Sequence, residues 1–173
     1  MQGGSGAAGN FLGMTRLLAH EHVRCPLDRL ERFVGVYLDS LRRDDGSIHL
    51  NLGVPSRRLD HVGLNLERPV IVTVEFGPDP AGLNRVLHIR WEPEGGGPFP
   101  VFSGILTAEP VEGPSEDSLL ALDGSYEPPG GGAGRLFDDA IGFAIARSSA
   151  RALLEQLRDG AEAAYMSETT RIG

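Results

Sequence analysis

From about Leu136 to Ala164 the chain carries no proline and is dominated by alanine, leucine and arginine, the chemistry of one long helix. An apolar stripe runs its length through Leu136, Phe143, Ala146, Ala150, Leu153, Leu157, Ala161 and Ala164, in steps of three, four or seven. At a rise of 1.5 Å per residue such a helix is roughly 45 Å long, enough to cross a whole small domain. It is entered from a strand: Leu119 to Tyr126 alternates, with Leu120, Leu122 and Tyr126 on one face. Between them, Glu127-Pro128-Pro129-Gly130-Gly131-Gly132 cannot continue a ladder, because proline lacks the amide donor and glycine favours turns. The chain must therefore supply an apolar sheet for this helix to lie on.

The rest of the sequence reads as that sheet. Arg16 to Arg24 alternates as a strand, with Leu17, Ala19, Glu21 and Val23 on one face and Leu18, His20, His22 and Arg24 on the other. Pro26 then opens a helical spacing through Leu27, Leu30, Phe33, Val34, Tyr37, Leu38 and Leu41, either one helix or two broken at Gly35. Strands follow at Ser47–Leu52, Val70–Phe76, Arg85–Glu92, Phe99–Val111 and Leu119–Tyr126, with a further short one inside Val54–Glu67 left open. Pro-Gly punctuation every ten to fifteen residues indicates an antiparallel meander rather than βαβ crossovers. The order is strand, helix, five or six antiparallel strands, long terminal helix: an α+β architecture with its helices on one face.

Several function classes are disfavoured by composition. The formal net charge is −8 and the chain contains no lysine, so sequence-independent nucleic-acid binding lacks the clustered cations it needs. Cys25 is the only cysteine, which precludes an intrachain disulfide and makes a cytoplasmic location the expectation. No apolar run approaches the ~20 residues that span a bilayer. Residues 1–14 read as a flexible tail, with Met14 an alternative start, 15–166 as one domain, and 167–173 as a second tail.

Four segments carry a resemblance to a known family: Val23-Arg24-Cys25-Pro26, Arg90-Trp91-Glu92, Phe99-Pro100-Val101-Phe102-Ser103-Gly104, and above all Leu122-Asp123-Gly124-Ser125-Tyr126-Glu127-Pro128-Pro129-Gly130. With the order of elements from about Arg16 onward, these resemble the START-like (SRPBCC) polyketide cyclase and lipid-transport superfamily. The last segment looks like a hallmark of a bacterial subgroup. The resemblance implies a helix-grip fold, a curved sheet wrapped around the C-terminal helix, with a cavity between them. It does not choose among carriers, cyclases, receptors and chaperone activators.

No motif in the chain specifies a reaction. The glycine run after a strand suggests a phosphate loop, but a Walker loop needs Gly-Lys-Ser/Thr, and Arg135 stands where a dinucleotide fingerprint needs glycine. No cofactor is expected. His20 and His22 share a strand face, yet a catalytic zinc needs three protein ligands and no third is in view, so they read as surface residues and no metal is expected. Cys25 reads as a small core residue. Trp91 belongs to the apolar face of its strand, which leaves Arg90 for the outer surface or a charge pair. Asp138 and Asp139 suit the positive end of the helix dipole, and Asp139 also falls on the sheet-facing stripe. Glu21 is aimed at the apolar side, where a carboxylate is either paired with an arginine or raised in pKa, unless the strand end frays and it reaches water. No Ser-His-Asp or Cys-His arrangement is visible.

The expectation is a domain that binds a hydrophobic small molecule or lipid between the sheet and the last helix. Gly142, Ala146 and Ala150 put small residues where that helix crosses, opposite Val72, Val74, Leu87, Ile89, Leu120, Leu122 and Tyr126, and need not fill the concavity. Glu21, Trp91, Asp139 and Phe143 complete the expected lining. Alternatives are a cyclase- or aromatase-like enzyme using Glu21, Tyr126 or Asp139, and a protein-interaction module. The first half of the helix is apolar on its other side too, through Phe137, Ile141, Ala144 and Ile145, which calls for a lid, a ligand entrance or a homodimer contact there.

Overall fold

The structure is a computed structural model that describes residues 14–53, 68–78, 85–97, 99–113, 116–127 and 139–172. Among these residues six strands and two helices follow in the order β1 (Thr15–Val23), α1 (Leu27–Ser40), β2 (Ile48–Leu52), β3 (Arg68–Pro78), β4 (Arg85–Pro93), β5 (Val101–Pro110), β6 (Ser118–Glu127) and α2 (Asp139–Ile172). The further short strand left open within 54–67 lies outside the described residues. All strand pairings are antiparallel, in the sheet order β1-β6-β5-β4-β3-β2. The meander from β2 to β6 is sequential; only β1 is displaced, to the far edge beside β6. This is an α+β fold of a curled half-barrel sheet and a long C-terminal helix, consistent with a helix grip.

Polar ties show how the sheet holds the helix. Residues 156 and 158 lie about 200° apart around α2, nearly on opposite sides. Gln156 donates to the Asn51 carbonyl of edge strand β2 at 3.1 Å, while Arg158 pairs with Glu21 of edge strand β1. One helical turn thus bonds both edges of the sheet. The concave face beneath is the apolar one, built by Leu17 and Val23 of β1, Val70 and Val72 of β3, Leu87, Ile89 and Trp91 of β4, Phe102 and Leu106 of β5, and Leu120, Leu122 and Tyr126 of β6. Alternation along each strand produces that face, so the expected assignments of β4 and β6 hold.

Helix α1 is continuous through Gly35 rather than broken. It buries Leu30, Phe33, Val34 and Leu38 and packs on the second half of α2. Gly160 lets the two helices approach: a Cβ there would overlap the Tyr37 ring, reaching 2.9 Å from its Cε2. At the open end Glu168 accepts from Arg29 at 2.7 Å and Arg32 at 2.8 Å. Residues 167–172, read from sequence as a tail, are therefore helical and tied to α1.

Those arginines, Arg32 foremost, hold the Glu168 carboxyl below its ordinary range. A carboxylate whose folded value lies below the unfolded ~4.3 contributes stability above that value and loses it as the pH falls through the folded one. Glu168→Gln should lower stability at neutral pH and leave the acid end nearly unchanged, flattening the acid limb of a stability-versus-pH curve, as chemical melts between acid and neutral pH would show.

Candidate functional site: a cleft beneath α1

An open cleft of about 780 Å³ lies between α1 and the end of the sheet formed by β3, β4, β5 and β6. Its described walls are Leu30, Glu31, Val34 and Gly35 of α1, Phe76 of β3, Val86 and Leu87 of β4, Leu106 to Glu109 of β5, and Leu120 of β6. The register explains why these meet: Phe76 stands opposite Leu87, Leu87 opposite Leu106, and Ala108 opposite Leu120. Apolar positions of four adjacent strands are brought into one patch, and α1 spans it. Gly35 faces this space with no described atom within 4 Å of where a Cβ would stand. Gly35→Ala should stabilise the protein by roughly 0.5–1 kcal/mol, since it relieves the helix-propensity cost of glycine without a clash. A thermal melt would test this.

Of the expected lining, Leu87 and Leu120 border this cleft. Val74 is half-buried beside the core on β3. Val72, Ile89, Trp91, Leu122, Tyr126, Ala146 and Ala150 are buried in one apolar cluster. Trp91 stacks on Phe102 with ring centroids 4.1 Å apart, and Tyr126 approaches Phe143 at 6.3 Å. This cleft lies beneath α1, whereas Ala146 and Ala150 of α2 are closed in the core. Gly142 differs: it is buried, yet no described atom lies within 4 Å of a Cβ built there. The side chain of Asp139 falls outside the described residues.

Two expectations about α2 need correction. Ile145, placed from sequence on an outer face open to a homodimer, is only 3% exposed and belongs to the core, while Phe143, placed on the sheet-facing stripe, is 39% exposed. The expected stripe holds from Ala146 through Ala150, Leu153, Leu157 and Ala161, and the buried face is widened by Gly142, Ile145, Ser149 and Leu154 where Phe143 is left out. The polar member of that face is accommodated locally, with the Ser149 hydroxyl donating to the Ile145 carbonyl at 2.9 Å. Phe137 and the side chain of Ile141 lie outside the described residues.

Glu21 resolves to an arginine pair: it is largely buried and bound by Arg158, whose guanidinium also engages Asp159. Cys25 is fully buried and its thiol is pushed up to about 11 by burial and then by Asp28, so it is not a thiolate nucleophile at neutral pH. Exposed His22 sits 3.6 Å from Asp117. Among the described residues no three His, Cys, Asp or Glu side chains are grouped to hold a metal.

One constellation escaped the sequence because its members are far apart. The Ser47 hydroxyl lies 2.8 Å from His49 Nε2, and His49 Nδ1 lies 3.2 Å from Glu94 Oε2. The spacing is that of nucleophile, base and acid. A serine has one proton, however, and Ser47 directs its hydroxyl to Asp45 at 2.5 Å, where its backbone N–H also donates. The His49 contact to Ser47 then uses an N–H of the ring, not its lone pair. The group reads as a lock joining the α1–β2 turn to the end of β4, on the face of β2 turned away from the buried Ile48 and Leu50.

No family model matches the chain, and no curated protein matches it either. Solved structures do. A conserved protein from Geobacillus kaustophilus aligns with a TM-score of 0.51 at 12% identity, covering 85% of this chain and 95% of that one. TTHA0849 from Thermus thermophilus gives 0.48 at 17% identity, covering 87% and 99%. At such identities the likeness is one of fold, and it rests on the Geobacillus protein. Among the described residues no helix is long and apolar enough to cross a membrane.

Proposed function

We propose that the protein binds a hydrophobic small molecule or lipid in the cleft between α1 and the curled sheet. The observation that carries this reading is the cleft itself: about 780 Å³, walled by Leu30, Val34, Phe76, Val86, Leu87, Leu106, Ala108 and Leu120. That volume is within the usual range for small-molecule sites, which are mostly apolar with few polar groups. Phe76 of this wall is exposed, and covering its ring with an apolar guest is favourable in proportion to the area removed from water. The resemblance of the sequence to the START-like superfamily, whose members enclose apolar ligands against the concave sheet, supports the class of ligand, though the cavity it implies lies under the C-terminal helix rather than α1.

Titration with a neutral, environment-sensitive fluorescent probe tests it. The parent should bind with a blue-shifted, saturable signal. Gly35→Leu, which places a side chain into the open space, should keep the fold and weaken the probe at least about tenfold, the loss of one well-buried apolar contact set. Equal binding by a folded Gly35→Leu variant would contradict the proposal.

A further inference from the structure

Resting on that cleft as the binding site, we infer that it selects apolar molecules with a cationic head, of the alkylammonium class, over those with a carboxylate head. The charged side chains in its described wall are Glu31 of α1 and Glu109 of β5, and both are carboxylates. Neither makes an ion pair or hydrogen bond with another described residue, whereas Asp123, Glu162 and Glu168 are each taken up by an arginine. Thr107 is the remaining polar side chain of the wall, and no described cation borders it. Among the described residues, an anionic head would meet two like charges at the mouth and no cation, while a cationic head would meet two partners. Each interaction is with an exposed carboxylate and is weak by itself. Low-dielectric walls focus the field of two like charges into the opening, and the chain's net charge of −8 adds the same sign.

The experiment is displacement of the neutral probe at low salt by dodecyltrimethylammonium, dodecanol and dodecanoate, all below their aggregation limits. The expected order is ammonium, alcohol, carboxylate, with about tenfold between the first and last, the product of a few-fold preference from each of two exposed pairs. Roughly 1 M salt, where the Debye length is about 3 Å, should compress that ratio. The double variant Glu31→Gln/Glu109→Gln should bring it to within about twofold while the thermal melt stays at the parental value. If all three bind the parent equally, and Gly35→Leu blocks dodecanol, the cleft stands and the charge selection is wrong. A preference that survives the double variant also overturns the inference, because the selecting charge then lies elsewhere. If none displaces the probe, or dodecanol binds Gly35→Leu as well as the parent, the binding site itself is misassigned and the inference falls with it.

Discussion

Gly124→Ala should destabilise the protein by about 3 kcal/mol, the upper end of what overpacking a close-packed core costs. Gly124 stands directly opposite Gly104 in the β5–β6 ladder. A Cβ on Gly124 would overlap the Ser103 carbonyl oxygen and come within 2.6 Å of both the Gly104 Cα and the Phe102 Cζ. Two of these neighbours are backbone, which cannot rotate aside. The third is the tip of a ring stacked on Trp91, so moving it disturbs the most deeply buried aromatic pair. Strand glycines of this kind mark close approach and bending, and the pair fits a sheet that must curl between its two edges. Urea melts should show a lower midpoint with the slope retained. Ser125→Ala, one residue along on the opposite face, should stay within about 0.5 kcal/mol. A Gly124→Ala variant as stable as that control would mean that the Phe102 ring does not rest on the glycine pair.

The second large effect changes sign with its neighbour. Gly160→Ala should cost about 1–3 kcal/mol, because the new methyl overlaps the Cγ and Cδ2 of Tyr37. Those atoms are the base of the ring rather than its free end, so a small χ change does not clear them. Burial raises the pKa of the Tyr37 hydroxyl, as expected of a ring held between the helices. In a Tyr37→Ala background the same Gly160→Ala change should instead stabilise by about 1 kcal/mol, the ordinary helix preference for alanine over glycine. A four-member melt series gives the coupling directly. Additive changes would show that α1 and α2 do not touch through this pair.

Where one period governs one buried face, the chain was readable from its residues. Leu120, Leu122 and Tyr126 alternate inward as expected, and Leu30, Phe33, Val34 and Leu38 form the buried face of α1. Which side of the start of α2 the sheet takes was not readable, because the first half of the helix is apolar nearly all round. With Phe143 and Ile145 on different sides and equally apolar, periodicity cannot say which one the sheet takes. Non-local pairings were hidden for another reason. Two aromatic-glycine segments, Phe102-Ser103-Gly104 and Gly124-Ser125-Tyr126, stood out separately, but only the register sets Gly104 opposite Gly124. His49 and Glu94 likewise meet only once β2, β3 and β4 are aligned. The cleft beneath α1 depends on where a helix crosses a curved sheet. Leu87 and Leu120 were identifiable as inward-facing, but the strands alone do not reveal that α1 leaves space above them.

A methyl-resolved NMR titration with dodecanol tests the central claim most directly. Binding beneath α1 predicts saturable shifts at Leu30, Val34, Val86, Leu87, Leu106 and Leu120, with Leu153, Leu157 and Ala150 of α2 left in place. Shifts confined to the α2 methyls, or none at ligand concentrations that saturate the fluorescent probe, would contradict it.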